Sequence, residues 1–415
     1  MKLLQAIAAN RTGWVVVGFL WIAFFLAYTS RQSVSSTFGV LRSELGFTEA
    51  QLGLTGTVFL WTYALMNPLA GWIGDRFSKP RVIALSLVLW SGATALMGMA
   101  WSPVALLAGR AALAIAQGLY APTAVAFISQ LHSKATRATA ITTHATAQYM
   151  GVIAGGWYGG MASEWIGWRA MFFSIAAVTL FYALLLHLAL RKRTPESPGD
   201  RAASSPKSPM GAIFRTPSYL TISLAFVAVN AMLWIVYTWL PDIVRERFQL
   251  SAGSAGLNAT AYVQISMILG LAIGAPLGDW ASRRGESGRI WVMAAGLFLS
   301  SPFIYLIAAS GTLAEMRLAS IGYGVFKGMF SANVWAALLA VSPKDRAAFA
   351  VGFCNSLGGL FGGLSSLLVG AFKGHYPVAT MFGAAASLGW ISVAFLIGTA
   401  VWLYRADLRK TEAEA

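Results

Sequence analysis

Three basic side chains stand inside long apolar runs of this sequence of 415 residues: Arg31, Arg110 and Lys327. No Asp or Glu is expected in the membrane interior of any span. A cation at the centre of a membrane helix costs ~2.5–3.5 kcal/mol on insertion scales, so it is retained where it meets a ligand, a partner or water. The partner these three lack is an anion. The planar fork of an arginine suits a carboxylate, sulfonate or phosphate, and Lys327 offers a softer point charge.

Helical spacing puts further groups on the same stripes. Tyr28 lies one turn before Arg31, and Gln117 two turns after Arg110 with Tyr120 beside it. His144 and Gln148 are a turn apart, as are Asn258, Tyr262 and Ser266 in sequence. Asn230, Trp234 and Tyr237 line up on a third segment, Tyr323, Lys327 and Ser331 on a fourth, and Asn355 precedes Gly358-Gly359. A set of basic groups, amides and aromatics suits a small, polar, anionic ligand. Each has a plainer reading. Arg110 is near enough to a span end to snorkel, His144 can be a satisfied packing histidine, and the tyrosines can be ordinary core. Gly151, Gly155 and Gly159, and Gly358, Gly359, Gly362 and Gly363, read as close helix contacts rather than ligand contacts.

The elements that carry these residues follow from composition. The chain is 57% hydrophobic and 11% charged, where a soluble chain carries about 25% charged residues. Segments near the ~20 residues needed to cross a bilayer fill almost the whole length. Such a chain is an all-α membrane protein, and segment lengths exclude a β-barrel. Twelve spans are expected, at roughly 14–41, 51–75, 80–101, 103–131, 136–162, 166–190, 217–241, 251–280, 288–310, 313–342, 346–372 and 377–404. They form two six-helix halves, 1–190 and 217–415, joined by a Pro/Ser-rich linker over 191–216. The N-terminus has no cleavage site after its apolar run and is not expected to be a signal peptide.

Basic residues crowd the loops on one side. Only Arg42, Arg169, Arg245, Arg247, Arg317 and Lys373 fall on the other, which predicts both termini in the cytoplasm. The formal net charge of +15 is thereby a matter of topology, and no nucleic-acid partner is expected. The single cysteine, Cys354, excludes a disulfide framework. His132, His144, His187 and His375 lie on separate segments without metal-ligand spacing, so no metal site is expected. No phosphate-cradling Gly-Lys-Ser/Thr loop and no buried acid to orient a catalytic base are present, so neither a nucleotide cofactor nor an enzyme is expected.

The two halves echo each other. Gly71-Trp-Ile-Gly74-Asp75-Arg76-Phe-Ser-Lys-Pro-Arg81 follows the second span, and Gly278-Asp279-Trp-Ala-Ser-Arg283 stands at the matching place after the eighth. On these residues the chain resembles the major facilitator superfamily over nearly its whole length. The resemblance implies twelve transmembrane helices in two pseudo-symmetric six-helix bundles. It also implies that this loop gates rather than binds, with Asp75 pairing across to a neighbouring helix. Two branches share its features. Tyr28-x-x-Arg31, Asp75-Arg76-Phe-Ser-Lys-Pro-Arg81 and Gln117-Gly118-x-x-x-Pro122 are similar to the organophosphate:phosphate antiporters. Ser30-Arg31, Arg110 with Gln117 and Pro122, and Gly167-Trp168-Arg169 are similar to the anion:cation symporters of sugar acids and other carboxylates. Ser30 and Gln117 stand where many of those symporters carry acids, and Asn230, Trp234 and Tyr237 stand where the antiporters carry a second arginine.

The resemblance implies a secondary transporter of a small organic anion: a carboxylate, sugar acid, sulfonate or phosphorylated compound. It would work by alternating access, with Arg31 in the first bundle and Lys327 in the second bridged by the anion, and with a counter-anion or protons as the coupled species. Short inner loops point to a bacterial inner membrane, and a functional monomer in the lipid bilayer is expected. An organic-acid or drug exporter of the same fold and a non-transporting anion sensor are the alternatives.

Overall fold

A backbone in lipid must satisfy its own hydrogen bonds, and the described part of this chain does so by helix. The computed structural model describes residues 11–133, 135–190 and 210–413, the side chains at 67, 68, 71, 75, 210, 212, 412 and 413 excepted. Among the described residues there is no strand. The helices are α1 Arg11–Ser33, α2 Phe38–Leu45, α3 Glu49–Arg76, α4 Lys79–Gly98, α5 Pro103–Leu131, α6 Arg137–Trp165 and α7 Trp168–Leu190, then α8 Pro217–Phe248, α9 Ala252–Arg284, α10 Gly288–Ala309, α11 Leu313–Ala340, α12 Ala347–Phe372, α13 Val378–Gly398 and α14 Tyr404–Ala413. A 3-10 turn over Val34–Thr37 joins α1 to α2, and a π turn over Thr399–Leu403 joins α13 to α14, so the helices form twelve long segments. Among the described residues, nine are long and apolar enough by themselves to cross a membrane.

Several helix starts are written in the local sequence. Thr48 and Gln51 close a capping box on α3, Thr312 and Glu315 do so on α11, and Ser102 caps α5 with Pro103 at its first position. Gly46, at φ +66, ends α2 in the left-handed conformation a side chain resists.

Three boundaries differ from the sequence reading, each for a local reason. The first span is not one continuous helix. In the run Ser33 to Thr37, the Ser33 and Thr37 hydroxyls donate back to the carbonyls of Ser30 (3.1 Å) and Val34 (2.8 Å), and the backbone tightens to a 3-10 turn. The seventh span does not stop at Pro241. Helix α8 continues through it to Phe248 and carries Asp242, 3% exposed, into the protein, where it pairs with Lys373 at 2.8 Å. Asp242 thus lies within the helix, one residue past the expected end of the span. The expected gating loops are in large part helix: Gly74 and Arg76 close α3, and Gly278, Asp279 and Arg283 lie in the last turns of α9. The backbone of Gly71 and Asp75 is also in α3, but their side chains lie outside the described residues, as do 191–209 of the expected linker.

Proximity divides the chain into two compact units, Met1–Arg201 with Val244–Thr260, and Ala202–Ile243 with Ala261–Ala415. In the first unit, α6 lies against α1 along a glycine stripe. A Cβ at Gly151 would stand 2.6 Å from the Phe25 carbonyl, at Gly155 2.5 Å from that of Thr29, and at Gly159 2.6 Å from Ser33 Cα. The adjacent face of α6, Gly156 and Gly160, meets the first turns of α9 at Gly256 and Ala252. There Glu164 accepts from the Ala252 N–H at 2.7 Å. In the second unit, Gly358 and Gly362 of α12 sit under Phe226 and Trp234 of α8, and Gly270 and Gly274 of α9 press on α11. These glycines are helix contacts.

Candidate functional site

The close approach of α6 fixes the face that α1 turns toward α3 and α5. Arg31 lies there, 9% exposed. Its Nε and Nη2 donate to one oxygen, Oε1 of Gln117, at 3.4 and 3.1 Å. The other end of the Gln117 amide is held by α1, where Nε2 donates to the Ala27 carbonyl (3.1 Å) and to Ser30 Oγ (3.0 Å). The amide oxygen therefore has to face the guanidinium. Ser30, beside Arg31 in sequence, acts through Gln117 and also donates to the Ala27 carbonyl at 2.9 Å. Around this polar core the guanidinium carbon lies over three rings: Tyr28 at 4.3 Å, Phe59 at 4.4 Å and Tyr63 at 5.2 Å.

Arg110 shares Phe59 with Arg31, at 4.9 Å from the ring centre, but it is satisfied differently. It is 3% exposed and does not snorkel. Its donors go to backbone carbonyls, Nε to Thr55 and Nη1 to Arg31, both at 3.1 Å. It thus ties α5 to α3 and to the C-terminal turn of α1.

His144 is buried in the same unit, among aromatic neighbours. Its ring stacks on Phe24 at 4.6 Å, and Nε2 is hydrogen-bonded to the Tyr120 hydroxyl at 3.1 Å, which itself donates to the Leu20 carbonyl. Gln148, a turn further on, is half-buried.

The second unit holds a separate polar cluster. Lys327, 6% exposed, places Nζ 2.9 Å from Met267 Sδ, a weak acceptor. One turn before it, Tyr323 is fully buried and its hydroxyl has no partner. On α9, Gln264 donates from Nε2 to the Tyr237 hydroxyl at 2.8 Å, while its Oε1 is buried and unpartnered. Trp234 stands edge-on to Tyr237 at 5.6 Å and is seated on Gly362. Tyr262 is half-buried with Arg317 over its ring at 5.4 Å, and Asn355 is exposed. Asn258 belongs to the first unit and returns its amide to the Ser254 carbonyl at 2.8 Å.

Of the residues singled out from sequence, the first unit therefore gathers Tyr28, Arg31, Arg110 and Gln117, and the second gathers Lys327, Tyr323 and Tyr237. Phe59, Tyr63 and Gln264 were not anticipated. Phe59 and Tyr63 are a helical turn apart, a spacing they share with any pair of packed aromatics. Gln264 had a usable signal, since it is an amide in an otherwise apolar run two residues after Tyr262.

The expected gating residues at the ends of α9 and α3 make local contacts. Asp279 pairs with Arg289 rather than with Arg283, and Arg289 also donates to Asn333 Oδ1 at 3.3 Å. The absent side chain of Gly278 leaves the space that Asn333 fills. At the matching end of α3, Arg76 lies over Trp72 at 4.2 Å, and a Cβ on Gly74 would stand 3.0 Å from Thr123 Oγ1.

No ion pair among the described residues includes Arg31, Arg110 or Lys327. A buried cation with aromatic, amide and thioether neighbours and no carboxylate carries a desolvation cost that those neighbours only partly offset.

The sequence matches the Major Facilitator Superfamily over residues 20–366. It is 27% identical to a probable sulfoacetate transporter of Cupriavidus necator, covering 93% of this chain and 94% of the relative. It is 24% identical to a hexuronate transporter of Bacillus subtilis, covering 91% and 93%. Among solved structures, a bacterial homolog of the human lysosomal transporter Spinster, inward-facing and unoccupied, is similar with a TM-score of 0.77 at 19% identity, over 97% of this chain and 98% of that one. At that identity the likeness concerns the fold.

Proposed function

The chain belongs to the Major Facilitator Superfamily, and from that premise we propose that it is a secondary carrier of a small organic anion working by alternating access. It is an integral membrane protein and not an enzyme. The observation that carries the proposal is Arg31: buried, held by one amide oxygen and three ring faces, and without an acidic partner among the described residues. Lys327 is the matching group of the second unit, its ammonium donating to a thioether. Relatives named for sulfoacetate and hexuronate transport support an acid as cargo. Both of those compounds carry a carboxylate together with a second polar group.

In this reading Gln117 orients Arg31, Ser30 orients Gln117, and Arg110 braces the helices that hold them. Exchange of one anion for another is the coupling mode the site favours, because an emptied site leaves its cations bare in a desolvated setting. Net uptake with protons is the competing mode. The bundles are assigned to 1–190 and 217–415, both termini to the cytoplasmic side of a bacterial inner membrane, and the working unit to a monomer.

Counterflow tests the reading. Proteoliposomes loaded with unlabelled sulfoacetate, a hexuronate, a dicarboxylate or buffer are diluted into the matching labelled compound. Accumulation with at least one anion, and none with neutral sugars, is the expected result. Binding without counterflow would replace the carrier by a sensor, and counterflow of cationic drugs alone would replace it by an exporter of another class.

A further inference from the structure

We propose that the groove between α4 and α7 binds an anionic phospholipid, its headgroup phosphate held by Arg81 and His187 and an acyl chain lying along the groove. This goes beyond the transported substrate and does not depend on which anion that is.

The register of the two helices sets up the site. They run antiparallel: a Cβ on Gly98, at the end of α4, would touch the Arg169 carbonyl and Phe172 near the start of α7, and Ser91 Oγ donates to the Ala176 carbonyl at 2.7 Å. Carried on at helical rise, the same register brings Arg81 opposite His187. Between them lies a groove of about 740 Å³. Small side chains at Ala84 and Ala177 make it concave, and larger ones at Val88 and Phe181 wall it. Phe181 is 63% exposed, so the wall faces outward, where the surrounding medium is lipid.

The polarity of the groove is one-ended. Arg81 and His187 are its basic residues, both exposed and both at the same end, and no acid lines it among the described residues. A zwitterionic headgroup would bring its own cation to this end. An anionic phosphodiester brings only acceptors, which the guanidinium fork and the imidazole can meet. Basic pockets between membrane helices with an apolar continuation are the setting in which such headgroups are held.

The purified protein is delipidated in mild detergent, offered phosphatidylglycerol or phosphatidylcholine, and examined by native mass spectrometry and thermal shift. Phosphatidylglycerol is expected to be retained and to raise the melting temperature, phosphatidylcholine to do neither. The double variant Arg81→Gln, His187→Gln is expected to hold phosphatidylglycerol about tenfold more weakly, in line with the loss of two basic contacts to an anionic lipid. Ala177→Trp, which fills the groove and leaves Arg81 and His187 in place, is expected to displace the lipid as well, and it decides the matter if the double variant does not fold. Equal retention of both lipids, unchanged retention by either variant, or the same stabilisation by inorganic phosphate alone would overturn the assignment.

Discussion

Arg31→Gln separates a ligand-binding arginine from a structural one. In the site as built, Arg31 makes two hydrogen bonds to a single acceptor and rests on three rings. The variant loses both kinds of contact. The rings are worth about 0.5–2 kcal/mol each, and the shared amide bond about 1.5–3 kcal/mol. Against this, a cation 9% exposed and unpaired by any acid carries a desolvation cost of several kcal/mol, which the neutral amide removes. The two sides nearly cancel, so the empty protein should melt within a few degrees of the wild type. The anion has no such compensation. Removing one partner of a desolvated charge contact costs about 2–5 kcal/mol, on the order of a hundredfold in apparent affinity. Arg31→Lys keeps the charge but loses the fork and the ring contacts, and should fall between the two. The assay is uptake into proteoliposomes over a range of anion concentration, normalised to folded protein and run beside thermal melts. Near-normal uptake by Arg31→Gln would refute the reasoning. So would a large loss of melting temperature with transport per folded molecule unchanged, since Arg31 would then be a structural strut.

Three further outcomes follow from particular contacts. Lys327→Met replaces an ammonium whose partner is a thioether; melting should rise or hold, while anion affinity falls on the order of tenfold or more, read by the same uptake curves. Tyr323→Phe removes a buried hydroxyl that has no partner, so the empty protein should gain about 1 kcal/mol, and a several-fold drop in transport would place that hydroxyl on the substrate. Gly155→Ala puts a methyl 2.5 Å from the Thr29 carbonyl and 2.9 Å from Gln32 Cβ; overpacking of about 1–3 kcal/mol should lower the melting temperature without changing which anions compete for uptake.

Much of the fold was legible because lipid leaves the backbone few options. Apolar length marked most of the segments, and errors gathered where a single residue carries two messages. Pro241 ends a helix in most contexts, yet α8 runs through it and gains Asp242 with its partner Lys373. Ser33 to Thr37 continue an apolar run by composition, yet their hydroxyls bond backward and tighten it. The site was legible in part for the same reason: a charge in an apolar helix is conspicuous. Its neighbours were not. Phe59 and Tyr63 become ring faces for Arg31 only through the register of α3 against α1, which no periodicity on one helix reveals. Gln117 could be placed on a stripe from sequence, but not the direction of its amide, which Ala27 and Ser30 set from the other helix.

How each buried cation is satisfied gives the last distinction, between groups that brace and groups that bind. Ion pairs among the described residues include Arg42 with Glu49 and Glu246, Arg169 with Glu44, Arg289 with Asp279, Lys373 with Asp242 and Arg409 with Glu286. Arg110 has no acid but spends donors on two backbone carbonyls, which are strong acceptors fixed by their helices. An anion reaching Arg110 would have to break bonds that hold α5 to α3 and α1. Arg31 and Lys327 rest instead on rings, one side-chain amide and a thioether. Those contacts are weaker than a charge-assisted bond to a carboxylate or sulfonate, so an arriving anion displaces them at a net gain. On that ground we assign Arg31 and Lys327 to the substrate and Arg110 to the scaffold. Arg110→Gln should then be the variant of the three that fails first in thermal melts, before any change in anion selectivity is seen.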